Sequence, residues 1–323
     1  MKHMIIRFLA LLLALALAAG AALAETGNTQ GVEEALESEE NDLSIYSEEK
    51  VHIDPNELAL TEGLDSAWRN ILLCGSDTRV AGSYGRTDAM VVISVNASKK
   101  QVKLTSIMRD IWTPMKGRSP QKISAANVFG GPTLAMRTVN EQFGMNISDY
   151  VFVDMAGMEE LIDILGGIEM DITEDEMWGL NNSWNRDASA LIEPVTAFGE
   201  NVHLNGEQAL AYARLRNIDN DYKRTVRQRE VLVAIARKAS HCNSSELLSF
   251  IREGIGYVET NLSMTDIIQL AVLAVLVDLD NVEQFRLPAE GAYTTGYEGQ
   301  LWVMWPDFEK NRALLHEFIY GGN

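Results

Sequence analysis

Arg214, Arg216, Lys223, Arg224, Arg227 and Arg229 place six of the chain's 27 lysines and arginines within sixteen residues, in a protein of formal net charge −19. Guanidinium groups are planar, permanently charged forks that match phosphate oxygens two at a time, so such a cluster suits a phosphate or pyrophosphate. The spacing adds to the count. The run 206–213 reads as a short helix after Asn205, whose side-chain oxygen can cap it. Arg214 and Arg216, two apart, then leave the helix end on one side of an extended segment. A second helix is expected from about Asp221, read as its N-cap, which puts Arg224 and Gln228 four apart on one face with Arg227 beside them. Unpaired backbone N–H groups at such a helix start carry partial positive charge and favour an anion. On these residues alone, a solvated basic face making surface ion pairs explains the pattern equally well.

Charges also stand where apolar runs end. The segment 75–79 (GSDTR) closes one such run, 85–88 (GRTD) opens the next, and 106–110 (SIMRD) closes a third. Strand ends in an α/β sheet are where sites are usually assembled. Asp77 and Asp88 offer hard carboxylate oxygens of the kind that Mg²⁺ takes together with substrate phosphates. Each, taken singly, serves as well as a turn former or half of an ion pair. Two cysteines and five scattered histidines make no zinc-type cluster, so a metal here would be held by carboxylates.

The elements that must position these residues follow from periodicity. Short β-branched and apolar runs at 70–75, 89–95, 102–106, 150–154 and 168–172 read as strands, the first three buried on both faces. Segments 123–129, 132–143 (with Pro132 at a helix start) and 155–165 (stopped by Gly166 and Gly167) read as helices. Alternating strands and helices predict an α/β fold, a mixed central sheet covered by helices on both faces as an α/β/α sandwich. Residues 178–200, rich in Asn, Ser and Gly, read as a long irregular insertion, either a binding loop or a surface excursion. Helices are expected again at 244–254 and 264–279. In the second, Gln269 is the one polar residue between Ile267 and Val277, a composition that suits core burial or the wall of an apolar cavity for a lipid tail.

The N-terminus has the three parts of a secretory signal: Lys2 and Arg7, an apolar run from Phe8 to Ala24, and an Ala22-Leu23-Ala24 cleavage pattern. Residues 1–24 are therefore a signal peptide or membrane anchor, which sets the protein at the outer face of the cytoplasmic membrane or releases it. From Glu25 to Glu57 there are eleven acidic residues against one lysine, so 25–62 form an acidic spacer without a core of its own. A single catalytic domain is expected over 63–323. The cysteines, Cys74 and Cys242, are read as free thiols. An exported acidic chain without a pattern of stacking aromatics argues against nucleic acid as a partner, and no G-x-x-x-x-G-K-[ST] loop marks an ATP site.

Taken with KISAANVFGGP (122–132), LGGIEMDI, LNGEQALAYARLR and DYKRTVRQREVL, the three strand-end segments resemble the LytR-CpsA-Psr family. The resemblance keeps the order of the motifs, covers roughly 69–239, and continues more weakly through FRLPAEG. It implies an extracytoplasmic phosphotransferase that moves a glycopolymer from an undecaprenyl-pyrophosphate carrier at the membrane surface to a cell-wall acceptor, commonly peptidoglycan. By motif, Asp77 and Asp88 fall on the positions associated with Mg²⁺, one of them also a proton acceptor. Arg86, Arg109, Arg214, Arg216, Arg224 and Gln228 fall on those that hold the pyrophosphate. Asp221 orients arginines beside them, and Lys122 matches a further polar position. Lys223 stands where the family often has Gly, and Asn127 where an aromatic is frequent. Two other readings stay open: a polyprenyl-pyrophosphate phosphatase with water as acceptor, and a non-catalytic module that binds carrier lipid or wall polymer.

Overall fold

The computed structural model describes residues 53–78, 84–182, 193–240, 253–263 and 282–321, with isolated positions between them. The strands in chain order are β1 (Trp68–Ser76), β2 (Thr87–Asn96), β3 (Gln101–Ile107), β4 (Trp112–Met115), β5 (Arg118–Lys122), β6 (Asp149–Asp154), β7 (Ile168–Ile172), β8 (Gly199–Leu204), β9 (Val258–Thr260), β10 (Glu283–Leu287), β11 (Tyr293–Glu298) and β12 (Leu301–Pro306). The helices are α1 (Pro55–Leu58), α2 (Ala125–Phe143), α3 (Met155–Ile164), α4 (Glu174–Asn181), α5 (Gly206–Ala213), α6 (Asp221–Ser240) and α7 (Phe308–Tyr320). The described residues of Glu49–Asp154, Val258–Ser263 and Asp280–Asn323 form one compact body, and those of Met155–Tyr257 and Met264–Leu279 another.

The first body carries a six-stranded mixed sheet in the order β10-β3-β2-β1-β6-β9. The expected α/β class with a mixed central sheet is what the chain adopts. β1, β2 and β3 form an antiparallel meander, while β6 joins β1 and β10 joins β3 in parallel. Ile71, Leu72, Leu73 and Cys74 on β1 are at most 3% exposed, which explains why this run is apolar on every residue instead of alternating. Burial pushes the Cys74 thiol up to about 12, which makes it an inert core group. Both cysteines are free. Along α2, Ala135, Met136, Val139 and Phe143 are fully buried and form one helical stripe. The two helices expected here are two segments of α2, separated at Gly130 and Gly131, with Pro132 opening the second.

The second body contains α3 to α6 and the antiparallel hairpin β7–β8. The run 168–172 is a strand as expected but lies outside the large sheet: its burial alternates, with Glu169 and Asp171 exposed, so it has one core face only. Part of the irregular insertion expected at 178–200 is regular. Its first residues finish α4, which is held at its start by a capping box between Thr173 and Glu176, and its last two begin β8. Residues 183–192 lie outside the described residues, as do 1–52 and most of the helices expected at 244–254 and 264–279. Among the described residues no helix is long and apolar enough to cross a membrane.

Candidate functional site

In the first body the meander accounts for one charged cluster. β2 and β3 pair with Val91 opposite Ser106, and the same register continued past the strand ends sets Asp88 opposite Arg109. The two meet: Arg109 Nη1 donates to Asp88 Oδ1 at 2.5 Å. Arg109 Nε also lies 3.7 Å from Asp110 Oδ2, and Lys122 Nζ donates to Asp110 Oδ1 at 2.5 Å. Lys122 arrives through the β4–β5 hairpin, where it pairs with Trp112. Three of the expected site residues, Asp88, Arg109 and Lys122, are thus joined through Asp110. That carboxylate is 5% exposed, and burying it as an ion requires the two cations that flank it. Asp110 is a member of the cluster that sequence reasoning did not single out; its signal was direct adjacency to Arg109 at a strand end.

Asp77, one residue past β1, is exposed, and its N–H donates to the Arg86 carbonyl at 3.1 Å. Its Oδ1 and the Ser76 Oγ each lie 2.6 Å from the point that a Cβ on Gly85 would occupy, so any side chain there would displace both oxygens. Arg86 is exposed, and no side chain pairs with it among the described residues. Asp77 and Asp88 are the two carboxylates that the sequence offered to Mg²⁺: Gly85 leaves the corner beside Asp77 uncrowded, while Asp88 Oδ1 is bonded to Arg109. No three His, Cys, Asp or Glu side chains converge among the described residues. The protein would then contribute two carboxylates at most, which is the usual share for an ion whose other ligands are phosphate oxygens and water.

In the second body the basic stretch differs from expectation in three places. Asn205 does cap α5, accepting from the Gln208 N–H at 2.9 Å in a full capping box. Arg214, however, keeps helical geometry (φ −106°, ψ −1°) and its N–H bonds the Ala211 carbonyl, so the chain turns here where an extended exit was expected. Second, the cap of α6 is Asn220, whose Oδ1 accepts from the N–H groups of Tyr222 at 3.1 Å and Lys223 at 3.2 Å. A cap must precede the first helical residue, and Asp221 is that residue. Asp221 instead divides its carboxylate between two cations, Oδ1 at 2.6 Å from Arg216 Nη2 and Oδ2 at 2.8 Å from Arg224 Nη2. The Arg224 side chain is 3% exposed, and its buried Nε–H finds no acceptor among the described residues. Gln228 follows one turn later, half-buried, and Arg214 has no side-chain partner among the described residues.

Third, Arg227 is an internal tie, not a group offered to a ligand. Its guanidinium donates to Glu176 Oε1 at 2.9 Å, to the Leu215 carbonyl at 2.9 Å and to Asp219. It fixes the turn that carries Arg214 and Arg216 against α4. Burial opposes ionisation of Glu176, yet hydrogen bonds from Arg227 and Thr173 outweigh it and hold the carboxyl below its usual range. Beside it the Tyr212 hydroxyl is pushed up by burial, then by Glu230 and Glu176, and donates to Glu230 at 2.9 Å. Because the folded value of Glu176 is depressed, its stabilising contribution is present at neutral pH and fades as pH falls below about 4.3, the usual glutamate value. Glu176→Gln should therefore lower the urea midpoint at pH 7, and the gap to wild type should close as pH falls. A gap of constant size from pH 7 to the acid limb would assign the loss to hydrogen-bond geometry instead of charge.

A sequence profile of the LytR_cpsA_psr family matches residues 28–310. The chain belongs to the LytR-CpsA-Psr family. Among its relatives, the polyisoprenyl-teichoic acid–peptidoglycan teichoic acid transferase TagU of Enterococcus faecalis is 34% identical over 212 residues, 63% of this chain and 64% of that protein. TagU of Bacillus mycoides is 31% identical over 229 residues, 69% of each chain. The chain thus spans a little under two thirds of the first relative's length. The crystal structure of B. subtilis TagV, 27% identical, covers 79% of this chain and 98% of its own with a TM-score of 0.63. This LytR-CpsA-Psr chain therefore shares the α/β fold of that solved structure as well as the motifs that first pointed to the family.

Proposed function

We propose that this chain is an extracytoplasmic phosphotransferase that moves a glycopolymer from a polyprenyl-pyrophosphate carrier, undecaprenyl pyrophosphate by the family resemblance, to a peptidoglycan hydroxyl. The observation that carries this reading is a pair of guanidinium groups, Arg86 and Arg214, without carboxylate partners among the described residues of a chain holding 46 acidic ones. Unpaired cations in so acidic a protein mark where an anion belongs. The names of the TagU relatives supply its class: a polyisoprenyl-linked wall polymer and a peptidoglycan acceptor.

In the proposed reaction the acceptor hydroxyl oxygen bonds to the glycan-proximal phosphorus. The bond from that phosphorus to the bridging oxygen breaks, and polyprenyl phosphate departs with the electron pair. By the family resemblance, Arg86, Arg109, Lys122, Arg214, Arg216, Arg224 and Gln228 would bind and orient the pyrophosphate. Asp221 holds Arg216 and Arg224 at a fixed separation. Asp77 and Asp88 would hold Mg²⁺, and one of them takes the hydroxyl proton. Bound there, the ion supplies charge neutralisation at the phosphate oxygens. Positioning and electrostatic stabilisation account for most of catalysis in such a transfer. Residues 1–24 would export the chain, 25–62 would act as the acidic stalk, and 63–323 as the catalytic domain.

The full chain should be incubated with a polyprenyl-pyrophosphoryl oligosaccharide, peptidoglycan and Mg²⁺, with the wall material then examined for a sugar-phosphate linkage. Excess chelator should remove the product, and Asp77→Asn or Asp88→Asn should do the same without chelator. Glycan phosphate released to water, with none on the wall, would make the protein a phosphatase. Carrier bound but not consumed would make it a binding module, and unchanged turnover in chelator would return both aspartates to ion pairing and turn formation.

A further inference from the structure

The Gly85–Arg86 peptide is held by residues that have no phosphate chemistry of their own. Asn127 Nδ2 donates to the Gly85 carbonyl at 2.9 Å from a fully buried position. The Asn127 Oδ1 is also buried and has no donor among the described residues. An amide oxygen left in that state lowers stability, so an apolar side chain would suit a purely structural position better. What the amide adds is the bond to Gly85.

Tyr84 anchors the chain one residue before Gly85. Its hydroxyl donates to Glu259 Oε1 at 2.7 Å, and its ring meets Phe152 edge-on at 5.4 Å between centroids. Tyr150 donates to the same Glu259 oxygen at 2.9 Å, which fixes the acceptor from a second side. Under the Tyr84 ring lies Gly131 at φ +61°, where a Cβ would come within 2.7 Å of Cε2. Both the backbone angle and the close approach restrict that position to glycine. Asp77 rests on both sides of the peptide so held, its Oδ1 against the bare Gly85 Cα and its N–H bonded to the carbonyl of Arg86, one peptide further on.

We infer that Asn127, Tyr84 and Glu259 are positioning residues that set the direction of the Asp77 carboxylate and the Arg86 guanidinium toward the pyrophosphate; this rests on the transferase reading above. None of the three touches the reacting atoms. Their effect is on placement, to which a transfer driven by positioning is sensitive at the scale of about 1 Å.

The test uses the full chain and three measurements: kcat and KM with a polyprenyl-pyrophosphoryl oligosaccharide, calorimetric binding of inorganic pyrophosphate with Mg²⁺, and the melting temperature. Tyr84→Phe keeps the ring on Gly131 and Phe152 and removes the hydroxyl, so it should fold as wild type. It should lower kcat about tenfold with little change in KM, and weaken pyrophosphate binding several-fold. Asn127→Leu should do the same, and Glu259→Gln, which keeps an acceptor oxygen, should lose less than Glu259→Leu. Wild-type kcat and pyrophosphate binding in Tyr84→Phe would overturn the inference, as would losses that follow the melting temperature across the series. Should the wild type fail to turn over the carrier while Tyr84→Phe still weakens pyrophosphate binding, the transferase reading falls and the positioning role stands.

Discussion

Arg214→Ala should lower turnover of the polyprenyl-pyrophosphoryl substrate by about 10²–10³-fold and leave the unfolding transition where it is. The activity loss is that of one preorganised cation at developing phosphate charge. The stability is unchanged because Arg214, at the end of α5, has no side-chain partner among the described residues whose charge would be stranded. Arg216→Ala gives a useful contrast. It removes a cation from Asp221, which keeps Arg224 at 2.8 Å, so some stability should go with the activity. Urea unfolding and initial rates on the same preparations separate the two cases. A large stability loss in Arg214→Ala would make the residue structural and remove the main support for an anion site in this body.

Arg227→Met should produce the largest stability change, a loss of about 3–5 kcal/mol, because it leaves Glu176 and Asp219 ionised against α4 and α6 without their cation. Arg227→Lys should recover only part of this, since an ammonium cannot bond Glu176, Asp219 and the Leu215 carbonyl in one plane. Adding Glu176→Gln to Arg227→Met should restore some stability by removing one stranded charge. Equilibrium unfolding in urea at pH 7 gives all three values. Activity abolished with stability intact in Arg227→Met would instead place this guanidinium on the substrate.

The contrast between Arg214 and Arg227 shows where reading the sequence succeeds and where it stops. Elements set by neighbours along the chain were legible: the apolar and β-branched runs of β1 to β3, the helix start at Pro132, and the Asn205 cap, which needs only Gln208 three residues on. The Asp88–Arg109 pair was legible as two charged strand ends, although their union depends on the antiparallel register. Arg227 was not. Its spacing from Arg224 suggests a shared face, but its partners lie eight, 12 and 51 residues away, and nothing local announces them. The choice of Asn220 over Asp221 as the cap escaped for a related reason. Both residue types cap well, and which one does so depends on where the preceding turn delivers the chain. Asn127 stood out only as a departure from the family's frequent aromatic, and Tyr84 and Glu259 carried no pattern, because a single hydrogen bond between side chains 175 residues apart leaves no periodic trace.

The sheet order has a consequence for how the chain is made. Its two outer strands, β9 beside β6 and β10 beside β3, come from much later in the sequence than the strands they cover. Until residues 283–287 are available, β3 presents a full row of unsatisfied backbone donors and acceptors to whatever is near. Closing that edge spans a long loop, a slow step by the entropy of bringing distant segments together. The Asp88–Arg109–Asp110–Lys122 cluster lies entirely on the earlier strands and their connections. Loss of the C-terminal strands would thus remove no charged residue of either cluster, and would still yield a chain that pairs with its neighbours in place of itself.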